Sequence, residues 1–303
     1  MRQIWTDLAL EAGAAELEPE VRQLEHGIEQ TTVSIRDDET AARFGRPAGT
    51  YVTLSCLQSL SIDLSTREAL SRQLAHALCG MLPKDTERVL VVGLGNRSVT
   101  PDALGPRTVD RVLVTRHLGA CLPQDVREGM RSVCAAAPGV LGVTGIETAE
   151  VIRGMTEHVA PDVVIAVDAL AARSSARICS TIQIADTGIA PGSGVGNHRQ
   201  ALNLETLGVP VIAIGVPMVV YAAKIAGDAL SAFAEADGAS AEDEQRLAQV
   251  VERVVSERLG DLIVTPREVD ALVERMSGIL AEGINLALHP GLSAGDIAQL
   301  TAQ

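Results

Sequence analysis

Two carboxylates follow runs of apolar residues in this chain, and their placement suggests chemistry. Asp102 lies in Arg88-Val-Leu-Val-Val-Gly-Leu-Gly-Asn-Arg-Ser-Val-Thr-Pro-Asp-Ala-Leu-Gly-Pro106, and Asp168 lies in Val163-Val-Ile-Ala-Val-Asp-Ala-Leu-Ala-Ala-Arg173. Two carboxyl groups held close together do not both ionise readily. One keeps its proton, and the pair can act on a water molecule as acid and base. That chemistry suits hydrolysis of a peptide bond. Each Asp can instead simply cap the loop or helix that follows it, and composition alone favours that reading. Further candidates around the pair are Asn96 in the turn after the first run, Glu147 after a Gly-rich stretch, and Asp186 at the end of a third apolar run.

Other chemistries are poorly served. Gly93-Leu-Gly95 invites a dinucleotide reading, but Ser98 stands where the third glycine belongs, and no acidic residue closes a strand about 20 residues further on. Gly192-Ser-Gly194-Val-Gly196-Asn197 lacks the Gly-Lys-Ser/Thr of a P-loop and reads as a loop beside a site or as a plain surface turn. The six histidines form no HExxH or similar ligand spacing; His117 and His198, beside polar or Gly-rich segments, are the two worth testing. The sequence calls for no cofactor and no metal. The five cysteines are scattered without a CxxC and read as small buried apolar residues in a reducing compartment.

The elements that must position the two aspartates alternate between strand and helix. Ile28–Ile35, Thr50–Leu57, Val89–Val92, Val163–Val167, Thr181–Asp186 and Val209–Gly215 read as strands. Helices are predicted from Ser65 or Thr66 to Met81, from Arg107 to Leu113, from Ala149 to His158, from Val219 to Ala234 and from Gln245 to Leu259. Another enters through Pro266, and Ile284–Pro290 is expected to dock as a short final helix. Phe44–Gly49 is a turn cluster, and the acidic 235–245 stretch reads as a linker or insertion. The helix-prone, acidic residues 1–25 read from composition as a frayed terminus, with a removable arm as the alternative. The pattern predicts an α/β fold, a mostly parallel or mixed open sheet flanked by helices, with parallel strands bringing Asp102 and Asp168 to one edge.

Composition narrows the partners. Hydrophobic residues make up 47% of the 303 and aromatic residues 2%, so the core must be built from Val, Leu, Ile and Ala. A net charge of -14 argues against nucleic acid and anionic membrane. Met1–Gly13 has no apolar signal core, and no run of about 18 apolar residues follows, so a cytoplasmic location is expected.

Longer motifs then carry a resemblance. GLGNxxVTPDALGP (93–106), VTRHL (114–118), APGVxGxTGIET (137–148), AxDALAAR (166–173), TIQIADTGIxPGSGVGN (181–197), LGVPVIAIGVP (207–217), VTPxEVD (264–270) and INLALHP (284–290) resemble the germination protease family of spore-forming bacteria. The resemblance implies an endopeptidase that starts the breakdown of small, acid-soluble spore proteins in the spore core. Its essential aspartates would be Asp102 and Asp168, in an atypical aspartic peptidase that older nomenclature groups with metallopeptidases. It also implies a fold similar to that of hydrogenase-maturation proteases, whose acidic residues at matching strand ends bind nickel. Metal ligation by the same carboxylates, with His117 or His198, is therefore a rival expectation. A catalytically idle module that holds spore proteins is another. The family is made as a zymogen and assembles as a homotetramer. Thr6-Asp7-Leu8-Ala9 matches its processing stretch, which puts the junction between Asp7 and Leu8 and makes residues 1–7 a pro-segment ahead of a single peptidase domain over 8–303.

Overall fold

The computed structural model describes residues 6–11, 14–56, 62–118, 129–191, 200–236, 238, 240–259 and 262–301. Its strands, in chain order, are β1 (Glu20–Gln23), β2 (Glu29–Ile35), β3 (Gly49–Ser55), β4 (Arg88–Gly93), β5 (Ser132–Ala136), β6 (Val163–Ala172), β7 (Thr181–Ala185), β8 (Val211–Tyr221) and β9 (Ile263–Val264). They form one sheet in the order β1-β2-β3-β7-β8-β6-β4-β5, with β9 added against the end of β8. β5, β4, β6 and β8 run parallel, whereas β1, β2, β3, β7 and β9 pair antiparallel. The sheet is therefore mixed, as expected.

The parallel half is made of Val, Ile and Ala because both of its faces are covered. On one face Val89, Val91, Val163, Ile165, Val167, Ile212 and Ile214 pack against helices Leu64–Met81 and Val269–Leu288. On the other face Leu90, Val92, Val164, Ala166 and Val211 meet Ile152 of helix Thr148–Val159 and Leu207 of helix Leu204–Leu207. Each fully buried Val or Ile side chain contributes about 1.5–3 kcal/mol relative to exposure. β-branched side chains also suit the pleated surface they cover.

Several elements differ from the sequence reading. β6 does not stop at Val167: it stays paired to β8 from Val164 to Ala172, with one irregularity between Leu170 and Ala171. β8 likewise continues through Pro217 to Tyr221, so the helix expected from Val219 starts at Ala222 and runs to Ala236. Pairing along two long neighbours outweighs the helix propensity of Ala-rich segments. The Leu64 helix is capped by Asp63, which accepts from the Thr66 N–H at 2.8 Å, and not by Ser65 or Thr66. Residues from Ala241 onward in the acidic 235–245 stretch are already helix Ala241–Leu259. Ile284–Leu288 is the last turn of the 20-residue helix Val269–Leu288 and forms no separate helix. β1, β5 and helix Asp38–Phe44 were not foreseen. Among the described residues, no helix is long and apolar enough to cross a membrane.

Candidate active site

The Asp102 turn is fastened to two strands at once. After β4 the Leu94 N–H donates to Val167 O of β6 at 2.8 Å. Gly95 follows at φ +110, a conformation that side chains resist, and a Cβ there would lie 2.0 Å from Asp102 O. Gly105 sits so close that its Cβ would fall 2.3 Å from Leu94 O and 2.5 Å from Val167 O. These two contacts press the turn onto the strand ends. Within it the Asn96 N–H donates to Asp102 Oδ2 at 2.6 Å, while Asn96 Oδ1 accepts from the Ser98 N–H at 3.0 Å. The Asp102 N–H in turn donates to Val99 O at 2.8 Å. The Asn96 main chain thus touches the Asp102 carboxylate directly.

Asp168 lies inside β6, opposite Gly215 of β8, with 5% of its surface exposed. It does not sit in a loop beyond the strand, so capping does not account for it. Its Oδ1 accepts from the Ala169 N–H at 2.9 Å. β4 has β5 on one side and β6 on the other, so the parallel connections diverge at the β4–β6 boundary. Asp102 and Asp168 come from those two strands. In open α/β sheets the crevice at such a switch point, outside the carboxyl ends of the strands, is where ligands bind.

The segment 6–11 docks beside this region. The Asp7 N–H donates to Ala171 O at 3.0 Å, and the Ala171 N–H donates back to Asp7 Oδ2 at 2.8 Å. Leu8 has none of its surface exposed and packs on Leu170, Ala172 and Ile189. Glu11 accepts from the Arg173 and Ser174 N–H groups at 2.7 and 3.0 Å. Gln183 of β7 bonds the main chain on either side of Leu8. The frayed terminus read from composition is thus overturned for residues 6–11, which are docked on the sheet by hydrogen bonds and by Leu8.

The remaining candidates separate. Glu147 immediately precedes helix Thr148–Val159, on the loop that follows β5 at the carboxyl edge, without a side-chain capping bond. Asp186 is not at that edge: β7 runs antiparallel to β8, so its end points the other way, where Asp186 Oδ1 accepts from the Thr50 N–H at 2.7 Å. His117 is exposed two residues beyond Thr115, whose N–H donates to Val133 O near the start of β5, at the opposite edge from Asp102. His198 lies outside the described residues. Among the described residues no group of three His, Cys, Asp or Glu side chains is arranged to hold a metal ion. Gln183 was not singled out in the sequence; the available signal was a lone amide inside the apolar strand TIQIA.

Comparison with known proteins decides the family. A family model described as "Germination protease" matches residues 18–246 and 232–301. The chain belongs to the germination protease family. Among its relatives, the germination protease of Clostridium acetobutylicum is 42% identical, over 98% of each chain. That of Caldanaerobacter subterraneus is 44% identical, again over 98% of each. That of Bacillus pumilus is 41% identical over 89% of this chain and 85% of its own. A solved [NiFe] hydrogenase maturation protease from Thermococcus kodakarensis aligns with TM-score 0.33 and 20% identity, over 69% of this chain and 98% of that one. As a member of the germination protease family the chain is a protease. The family model's two matched segments overlap over residues 232–246.

Proposed function

We propose that this germination protease family member is an endopeptidase that opens the degradation of small acid-soluble spore proteins in the spore core, with Asp102 and Asp168 as its catalytic pair. The observation that carries this reading is their origin on adjacent parallel strands at the switch point, bound together by the Leu94–Val167 hydrogen bond. One carboxylate takes a proton from the attacking water while its protonated partner polarises the scissile carbonyl. The proton then passes to the leaving amine. Either Asp can fill either role.

The chain is further read as a zymogen cut between Asp7 and Leu8. Support comes from the docking of this junction on the strand that carries Asp168, three residues beyond it, at Ala171. Assembly as a homotetramer is read from the resemblance. The apolar side chains of Phe233, Leu247, Val250 and Val254, exposed on the two helices after β8, give such an assembly a surface to bury.

The test is Asp102→Asn and Asp168→Asn in the full chain, with cleavage of a purified small acid-soluble spore protein followed by mass spectrometry. Each variant is expected to lose at least about 10²–10⁴ in rate, the range of general acid–base catalysis. Wild-type cleavage by both variants would rule the pair out.

A further inference from the structure

Gln183 is a polar side chain in a place built for apolar ones. It sits in the middle of β7 between Ile182 and Ile184, and 8% of its surface is exposed. A buried amide needs partners for its donors and its acceptor. Here both partners are main-chain atoms on either side of one residue, Leu8. Gln183 Nε2 donates to Asp7 O at 3.1 Å, and Gln183 Oε1 accepts from the Ala9 N–H at 2.7 Å. The assignment of the two amide atoms is forced, since a carbonyl can only accept and a backbone N–H can only donate.

The register aligns this clamp with the catalytic strand. Gly215 of β8 is paired with Asp168 on one side and with Gln183 on the other. Residues paired across neighbouring strands point to the same face, so Asp168 and Gln183 share a face with one strand between them. Gly215 adds no side chain to that gap, which the side chain of Leu170 covers: a Cβ on Gly215 would lie 2.4 Å from Leu170 Cδ1. The junction bridges the same gap. The Asp7 N–H reaches β6 at Ala171 O, its carbonyl reaches Gln183 of β7, and Leu8 rests on Leu170.

We infer that Gln183 is a catalytic residue that holds the carbonyl of the bond to be cut and stabilises the negative charge that develops on it. The inference rests on the processing reading, in which the Asp7 carbonyl belongs to the scissile bond. When water adds to the Asp7 carbonyl carbon, one water proton goes to the carboxylate pair and the carbonyl oxygen becomes anionic. The Gln183 N–H already points at that oxygen, so no reorganisation is needed as the charge forms. The bond from Asp7 C to Leu8 N then breaks, and the Leu8 nitrogen leaves with the proton returned by the carboxylates. Gln183 keeps its own protons throughout. Because it bonds main-chain atoms, the clamp imposes geometry without demanding a particular side chain, and it serves equally well a protein substrate whose main chain takes the place of residues 7–9. Holding the Asp7 carbonyl and, across Leu8, the Ala9 N–H also fixes the orientation of the bond before water arrives.

The full chain carrying Gln183→Glu tests this most sharply, because the carboxylate keeps an acceptor for Ala9 and loses the donor. Gln183→Ala removes both. Intact-mass measurement follows the appearance of a chain beginning at Leu8, and steady-state kinetics on a purified small acid-soluble spore protein gives kcat and KM. With both variants kcat is expected to fall about 10²–10³-fold, the cost of losing one donor to a developing oxyanion. KM should stay within a few-fold. Both substitutions disturb the buried bonds to Ala9 and Asp7 and are expected to lower the thermal midpoint, so kcat is taken per folded chain well below the melting range. Wild-type kcat in Gln183→Glu overturns the inference, as does a loss confined to KM or a fall in kcat that disappears once the folded fraction is taken into account. Asp168→Asn serves as the control. If it is inactive while both Gln183 variants remain fully active, the carboxylate pair stands and Gln183 falls. If the wild-type chain cuts the spore protein but never releases a chain beginning at Leu8, the processing reading falls instead, and kcat on the spore protein still judges Gln183.

Discussion

The Leu94 N–H donates to Val167 O at 2.8 Å, and this bond ties the turn that carries Asp102 to the strand that carries Asp168. It sits one residue before Asp168 and one residue after the end of β4, so it holds the start of the Asp102 turn against the strand that carries Asp168 through the backbone alone. Neither side chain's identity matters to it. What matters is that nothing intrudes between the two segments.

Gly105→Ala puts a methyl group into that contact. The added Cβ would sit 2.3 Å from Leu94 O and 2.5 Å from Val167 O, both rigid backbone atoms. The turn must move outward, at a cost of about 1–3 kcal/mol. Proteolytic activity is expected to fall at least tenfold, with a lowered melting temperature. A variant with wild-type kcat and melting temperature would show that the turn tolerates displacement.

Leu8→Ala should loosen the docked segment without unfolding the sheet. Leu8 is fully buried on Leu170, Ala172 and Ile189, and truncating such a side chain costs about 2–5 kcal/mol. Hydrogen exchange at the Asp7 and Ala9 amides is expected to accelerate at least about tenfold, while β6 and β8 keep their protection. Unchanged exchange at both amides would mean that the hydrogen bonds alone hold the segment.

Asn285→Ala should destabilise the whole domain. Asn285 has 3% of its surface exposed, accepts from the Leu113 N–H through Oδ1 at 2.8 Å and donates through Nδ2 to Arg111 O at 3.0 Å. The substitution strands two main-chain groups, at about 1–3 kcal/mol each. Denaturant unfolding is the measurement, and a shift in midpoint without a change in slope is the expected result.

His289 predicts a pH dependence. It is fully buried, and burial holds its pKa below the usual histidine value despite its bond to Leu113 O at 3.2 Å. Its Nδ1 is buried with no hydrogen-bond partner among the described residues, so a proton there would have nothing to bond. Below about pH 6.5 the unfolded chain takes up a proton that the folded chain refuses, so stability is lost as the pH falls through that range. His289→Gln should be less stable than wild type near neutrality, and the gap should narrow as the pH drops. A gap that stays constant from about pH 7.5 to about pH 5.5 would contradict this.

Asn285 and His289 also show what a motif can and cannot say. INLALHP was legible as a recurring segment and was expected to be a short final helix. Its residues instead form the last turn of a long helix, and the two polar members sit one turn apart to hold the Arg111–Leu113 segment. Periodicity gave the helix. The partners were distant in sequence and could not be inferred from it. Asp186 illustrates the converse: it ends an apolar strand just as Asp102 and Asp168 seemed to, yet β7 runs antiparallel to β8 and takes it to the other edge.

Residue order by itself determined the alternation of buried strands and helices, the motifs that mark the family, and Asp102 and Asp168 as the residues to test. Those rest on local properties: β-branched runs, turn glycines and carboxylates next to them. Strand direction, the extension of β6 past Asp168, the docking of Asp7 and Leu8, and the meeting of Gln183 with the Asp7 carbonyl were decided only in three dimensions. Each of these depends on pairing between segments far apart in the chain. One sequence records which residues are available for pairing, and the burial of their apolar faces and the closing of their backbone hydrogen bonds select the partner.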